Sequence, residues 1–305
     1  MYRKLAQSLV TIIIVLTCLD LQSKAGLLPD FKRANAIAYL PDLNSRKAQF
    51  LLKTSGKNAL DTFQTIYNNA PTQRATTPFV PKIIHQIWLG SEFPVKYHHY
   101  QALLKQLHPD WEYILWRDAD VEKFGLSNKK AYNEAQNYGE KSDIARYEIL
   151  DRLGGIYFDV DVECLKSFDF LIDRYDFFAA LEPLPRNTMT CLSLANAIIG
   201  CRPGHPVIKE CIKQIKNPPI FTNGWHPILK TVVKTGPVLL TRAAYMLRSE
   251  ILHKGIILPS ECFTPANAKN VNKNVSYRFC IHHWSHSWMK KLSLGNEEKS
   301  SESLS

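Results

Sequence analysis

The chain has 305 residues, 45% hydrophobic and 22% charged, with a formal net charge of +10. That composition excludes a mainly disordered chain, which lacks the apolar surface to offset its ordering entropy; seven cysteines in this length are too sparse for a small disulfide scaffold. The charge is unevenly placed, with eleven acidic and five basic residues from Glu140 to Glu182, then nine basic and two acidic from Arg202 to Lys254, an acidic centre that argues against a nucleic-acid binder and suits either ordinary surface charge or a divalent cation beside a phosphate.

Residues 1–26 begin with basic Arg3 and Lys4, followed by an apolar run from Leu9 to Leu19 that Asp20 closes. The run is shorter than the ~20 residues of a relaxed membrane span. It reads as a secretory signal with a poor cleavage site at Ser23-Lys24-Ala25, or as an uncleaved anchor. Either form predicts export to the secretory pathway or cell envelope, and the second adds membrane association through the amino terminus. A buried hydrophobic helix is the plain alternative. Six cysteines follow: Cys164, Cys191, Cys201, Cys211, Cys262 and Cys280. None forms a Cys-x-x-Cys pair, which disfavours zinc and thioredoxin chemistry, and their even number leaves disulfides open.

Residues 27–80 are polar and read as a loosely helical extension, stalk or packing material, without nameable chemistry. From Pro81 the pattern changes. PKIIHQIWLG is a short β-branched run bounded by Pro and Gly, a buried strand. Helical character follows from Val95 to Leu107, Pro109-Asp110 breaks it, and WEYILW is a second strand, giving the strand–helix–strand unit of a parallel α/β sheet. The next helix is expected to start at Ser142 as N-cap and to stop at Gly154. Ala145, Ile149 and Leu153 form its buried stripe, with Asp143 and Arg146 on another face.

IYFDVDVE alternates with period two, so it reads as one strand with Ile156, Phe158, Val160 and Val162 on a core face and Tyr157, Asp159, Asp161 and Glu163 opposite. Asp159 and Asp161 then lie ~6.6 Å apart near a strand's carboxyl end, where open α/β sheets bind ligands. DFFAALE, NAIIG, GIILPSECF and YRFCIHHW read as strands, His205 to Ile215 and Pro237 to Arg248 as helices, and 291–305 as a flexible tail.

Two carboxylates on one short strand repel and need a cation, a shared proton or solvent. A hard divalent ion with oxygen ligands fits Asp-x-Asp, and a solvated acidic face is the bland reading. Asp143 and Arg146 form either a surface ion pair or a grip on sugar hydroxyls. Trp88 is either core or a stacking platform for a base. The histidines of HHWSHSW, beside aromatics, suggest a ligand; a histidine with two carboxylates suits Mn²⁺ or Mg²⁺. The alternation of YRFCIHHW points His282 and His283 oppositely, so that only one reaches a given site.

KIIHQIWLG, HPDWEYILWRD, SDIARYEILDRLGGIYFDVDVE, NAIIGCRPGHP, TGPVLLT and HHWSHSW occur in this order. Together they resemble the family 32 glycosyltransferases, the group with the Asp-x-Asp sugar-binding region: the fungal outer-chain mannosyltransferases and, more distantly, the glucosyltransferase domain of large glucosylating toxins. The resemblance implies a single GT-A domain over 81–290, α/β with a mostly parallel sheet between helices. It implies a metal-dependent hexosyl transfer, with retention of configuration, from a UDP- or GDP-linked sugar to a glycan or protein acceptor. Trp88 would stack on the base, Asp143 and Arg146 would hold sugar and ribose, and Tyr157 would line the pocket. Asp159 would touch ribose or metal, Asp161 and His282 would bind the metal, Asn196 would face the sugar, and Ser287 and Trp288 would close over the diphosphate. His286 departs from the pattern, where a small residue is expected. The rival classes are a glycoside hydrolase working through paired carboxylates and a non-catalytic sugar-binding surface protein. The hydrolase would need no metal, and the sugar-binding protein would bind glycans without turning over a nucleotide sugar.

Overall fold

Ile83, Ile84 and Ile87 place a β-branched stretch where it is covered on both sides, as a central parallel strand requires. The computed structural model describes residues 28–31, 34, 57–183, 192–218, 226–265 and 271–285. The leader over 1–26, the tail, Cys191, His286, Ser287 and Trp288 lie outside the described residues. In chain order the elements are α1 (Lys57–Asn69), β1 (Ile83–Ile87), α2 (His98–Leu107), β2 (Glu112–Trp116), α3 (Asp118–Phe124), α4 (Lys129–Glu134) and α5 (Tyr138–Leu153). Then come β3 (Gly155–Phe158), β4 (Val162–Cys164), α6 (Asp169–Ile172), β5 (Phe177–Ala180), β6 (Ile198–Cys201) and α7 (Pro206–Lys216). The described chain closes with α8 (Pro227–Lys234), α9 (Pro237–Met246), α10 (Arg248–Lys254), β7 (Gly255–Leu258) and β8 (Cys280–His282).

Six strands form one sheet in the order β2-β1-β3-β6-β5-β7. β1 runs parallel to β2 and β3, β5 runs parallel to β7, and β6 alone is reversed between β3 and β5. With helices packed against it, this is the α/β architecture expected from the sequence. No helix among the described residues is long and apolar enough to cross a membrane.

Several expectations need correction. α5 starts four residues before Ser142: Asn137 is its N-cap, with a side chain that accepts the Glu140 N–H at 2.9 Å. Ser142 lies inside the helix. Both helix faces are covered, because Asp143 to Leu150 are all buried. The stop at Gly154 holds, with φ +65°. A Cβ at Gly155, φ +87°, would sit 2.6 Å from the Ile83 carbonyl, so this second glycine lets β3 lie against β1.

IYFDVDVE is two strands rather than one. β3 ends at Phe158, a turn closed by the Val162 N–H on the Asp159 carbonyl follows, and β4 pairs with β8 in a separate two-stranded sheet. The expected helix from Pro237 to Arg248 divides at Leu247 into α9 and α10. The polar extension also reaches the core: Phe63 and Ile66 of α1 are fully covered, and the helix packs on β7 and α10. Among the described cysteines, Cys164, Cys201, Cys211, Cys262 and Cys280 are buried free thiols.

Candidate active site

The carboxyl ends of β1 and β3, the segment entering β6 and the amino end of α9 surround a cavity of about 390 Å³. Trp88, Asp143, Arg146, Tyr157, Asp159, Asp161, Asn196 and His282 all line it. Sequence reasoning named each of these, and the fold brings them together. Ser287 and Trp288 fall outside the described residues.

The broken strand is what gathers the acidic pair. The Asp159 N–H still bonds the Ala197 carbonyl at 2.8 Å, as if β3 continued, and the turn then swings Asp161 beneath β8. Val160, assigned by alternation to a core face, lines the cavity instead. Each carboxylate has one oxygen engaged by the protein. Asp159 Oδ1 accepts from the Tyr157 hydroxyl at 2.7 Å and faces Arg146 at 3.3 Å. Asp161 Oδ2 accepts the Ser285 N–H at 2.6 Å. The remaining oxygens face His282 Nε2, Asp161 Oδ1 at 3.3 Å and Asp159 Oδ2 at 3.8 Å.

One ligand atom from each of Asp159, Asp161 and His282 lies within 4.8 Å of the others. Two carboxylate oxygens and an imidazole nitrogen are a donor set suited to a divalent ion of the Mn²⁺ or Mg²⁺ kind. Burial opposes ionisation of Asp161, but the His282 imidazole and the Ser285 contacts overcome it and hold the carboxyl below its ordinary range. His283 points away, with Nε2 3.0 Å from Glu163 and its ring stacked on Tyr100. The chain turns after it through Trp284, a non-glycine at φ +51° whose ring packs 4.3 Å from that of His282.

Asp143 and Arg146 are not a surface pair, for their side chains are 7% and 5% exposed. Arg146 bridges Asp143 at 3.1 Å and Asp159, donates to the Asn196 carbonyl, and lies over the Tyr157 ring. Asp143 accepts from Asn196 Nδ2 at 2.8 Å and from the Thr235 hydroxyl at 2.9 Å. Burial pushes its carboxyl up to about 6, against the lowering pull of Arg146 and Thr235. Trp88 is half-buried. Its indole N–H donates to the Glu92 carbonyl at 2.9 Å, and Phe93 and Tyr97 pack near its ring, which fixes the ring plane beside the cavity.

Sequence reasoning missed Thr235, Trp284 and Glu182, which also reaches the cavity. Burial raises the Glu182 carboxyl above its ordinary range. The available signal was an acidic residue ending the otherwise apolar FFAAL run.

Comparison with known proteins bears on this site. The model of the glycosyltransferase sugar-binding region containing a DXD motif matches residues 94–178. Inositol phosphoceramide mannosyltransferase 3 of Schizosaccharomyces pombe is 32% identical over 167 residues, covering 53% of this chain and 44% of that protein. Mannosyl phosphorylinositol ceramide synthase SUR1 of Saccharomyces cerevisiae is 29% identical over 167 residues, covering 53% and 41%. The matched stretch thus spans under half of each relative. Among solved structures, the PaToxG glycosyltransferase is 20% identical with a TM-score of 0.43, covering 68% of this chain and 82% of that one.

Proposed function

We propose that this chain, whose residues 94–178 are a sugar-binding region of the DXD glycosyltransferase family, transfers a hexose from a UDP- or GDP-linked sugar to a hydroxyl of a glycan or protein acceptor, with retention of configuration. Two relatives carry names that join a mannosyl group to an inositol-bearing ceramide. Those names favour mannose as the sugar and a glycolipid as a further acceptor class. The leader over 1–26 supports a place in the secretory pathway or cell envelope.

One observation carries the reading: the free oxygens of Asp159 and Asp161 face one histidine nitrogen on the wall of a cavity that also holds an aromatic ring and a buried arginine. Asp159, Asp161 and His282 would hold the divalent ion. When bound, Mn²⁺ or Mg²⁺ would supply Lewis-acid stabilisation to the departing diphosphate. Trp88 offers its face to the base, Asn196 and the Asp143–Arg146 pair border the sugar, and Tyr157 fixes the orientation of Asp159. In this reading Ser287 and Trp288 follow His282 closely enough in sequence to cover the diphosphate. A paired-carboxylate hydrolase fits less well, because the two acids crowd around one imidazole and leave no sugar's width between them.

The test is a thermal-shift and turnover screen of UDP- and GDP-sugars, with and without Mn²⁺, on the wild type and Asp161→Asn. The wild type should be stabilised and release nucleoside diphosphate only with the ion. The variant should fold and do neither. Full Mn²⁺-dependent activity in folded Asp161→Asn would overturn the metal assignment, and a wild type that turns over none of these sugars would overturn the reading.

A further inference from the structure

Along one edge of the main sheet, four side chains reach the cavity: Trp88 just after β1, Asp159 just after β3, Asn196 just before the reversed β6, and Glu182 two residues after β5. Because the strand order runs β1-β3-β6-β5, they stand in that sequence, each about 4.8 Å beyond the last. Local structure sets the far end of this row. Phe178 faces Gly200, but Leu181 faces Leu194, so three residue steps on one side oppose six on the other. The surplus bulges out at 195–197, which carries Asn196 towards the cavity.

The same bridge fixes Glu182. Its N–H donates to the Ser193 carbonyl at 2.8 Å, and its Oε2 accepts the Ser193 hydroxyl at 2.5 Å. Oε1 has no hydrogen-bond partner among the described residues. Glu182 is outside the group of atoms that would hold an ion, and a carboxylate repels phosphate. What suits its free oxygen is a hydroxyl group.

We infer that Glu182 is the acceptor-side residue of this cavity, with Oε1 receiving a hydrogen bond from a hydroxyl of a polyol acceptor and holding it against the donor sugar. This rests on the transfer reading above: a donor laid base-first on Trp88, with its diphosphate at Asp159 and Asp161, brings its sugar to Asn196. The next group along the edge is then Glu182, about 10 Å from Asp159 at two strand spacings. Ser193 is a positioning residue that keeps the carboxylate aimed.

The experiment compares wild type, Glu182→Gln, Glu182→Ala and Ser193→Ala. It uses GDP-mannose as donor, with inositol phosphoceramide or methyl α-mannoside as acceptor, whichever the wild type glycosylates faster. Mn²⁺·GDP binding is followed separately by calorimetry. Glu182→Ala should raise the acceptor KM roughly 10- to 100-fold, the loss of a hydrogen bond to a charged group, with smaller rises for Glu182→Gln and Ser193→Ala. Affinity for Mn²⁺·GDP should stay within about twofold of wild type. An unchanged acceptor KM in the folded Gln and Ala variants overturns the assignment, and so does an equal loss of Mn²⁺·GDP binding, which would put Glu182 on the donor side. A wild type inactive with every nucleotide sugar overturns the underlying reading instead, a distinguishable result.

Discussion

Arg146 sits between two carboxylates, Asp143 at 3.1 Å and Asp159 at 3.3 Å, with its own side chain 5% exposed. Its sequence assignment was direct contact with the donor. The geometry adds a second duty, since its contacts with Asp143, Asp159 and the Asn196 carbonyl neutralise buried charge whether or not a substrate is present. Removing one partner of a buried ionic cluster leaves uncompensated charge and costs about 3–5 kcal/mol. Arg146→Ala is therefore expected to lose about that much unfolding free energy at pH 7 in urea titrations. The deficit should narrow as the pH falls. Asp143 already sits near 6 with Arg146 present, and without the guanidinium its folded pKa rises further above the unfolded value. Protonation of the folded form then relieves the unpaired charge as the pH drops through that raised pKa. Arg146→Lys should recover only part of the loss, because an ammonium lacks the planar fork that meets several acceptors at once. A folded Arg146→Ala of wild-type stability would show that water, not the arginine, compensates these acids.

At the level of elements, the strands beginning at Ile83, Glu112, Phe177 and Ile198 were legible because β-branched and aromatic residues cluster between Pro, Gly and Asp punctuation. The division of IYFDVDVE was not. Alternation persists through the turn at 159–161, and nothing in a period-two pattern records that a strand has left one sheet for another. The Ala-Asn-Ala bulge before β6 was hidden for a similar reason, since it carries no Gly or Pro. Helix starts were legible where proline opens the first turn, as at Pro206 and Pro237, and not where two good capping residues compete. Asn137 was passed over for Ser142, while α7 is capped by His205, whose Nδ1 accepts the Val207 N–H and whose ring stacks on Phe177. That histidine makes a pH prediction. Burial, and then the nearby Arg202, depress its pKa to about 3. At pH 7 it is neutral in both states. Below its unfolded value near 6.5, the unfolded chain takes up a proton that the folded chain refuses, so stability falls by about 1.4 kcal/mol per pH unit on the way to pH 3. His205→Asn keeps a good capping residue without this titration. The wild-type-minus-variant stability difference should drop by about 2–3 kcal/mol from pH 7 to 4.5. Parallel stability profiles for the two proteins would show that Asp176, 3.8 Å from Nε2, accommodates the protonated ring.

Taken over the whole molecule, the acidic centre from Glu140 to Glu182 suits ordinary surface charge or a cation site, and several of its acids do neither. Glu148 accepts from Ser127 and Asn128 in the loop before α4, Asp173 pairs with Arg74, and Asp176 pairs with Arg202. These acids hold segments far apart in sequence, a use that net charge cannot distinguish from metal binding. The composition change at Pro81 left residues 27–80 open as stalk or as packing material, because a helix that buries one face looks polar on average. In α1 the buried face is narrow: Phe63 and Ile66 are fully covered, and Tyr67 donates its hydroxyl to the Pro29 carbonyl. Downstream of α1, the Ala75 and Phe79 N–H groups bond the Asp173 and Ile172 carbonyls, so residues 57–80 are tied to α6 as well as to β7. The sheet that carries the candidate site therefore packs, at its β7 edge, against a stretch that shares none of that site's chemistry. Phe63→Ala should lower unfolding free energy by about 3–5 kcal/mol, the usual loss for a fully buried phenylalanine. Its effect on Mn²⁺-dependent turnover at 25 °C should be small as long as the protein stays folded. A chain beginning at residue 81 loses the α1 cover of β7, and it should show no cooperative thermal transition in calorimetry. Unfolding of that shortened chain as sharply and at the same temperature as the full protein would mean that α1 merely decorates a core able to stand without it.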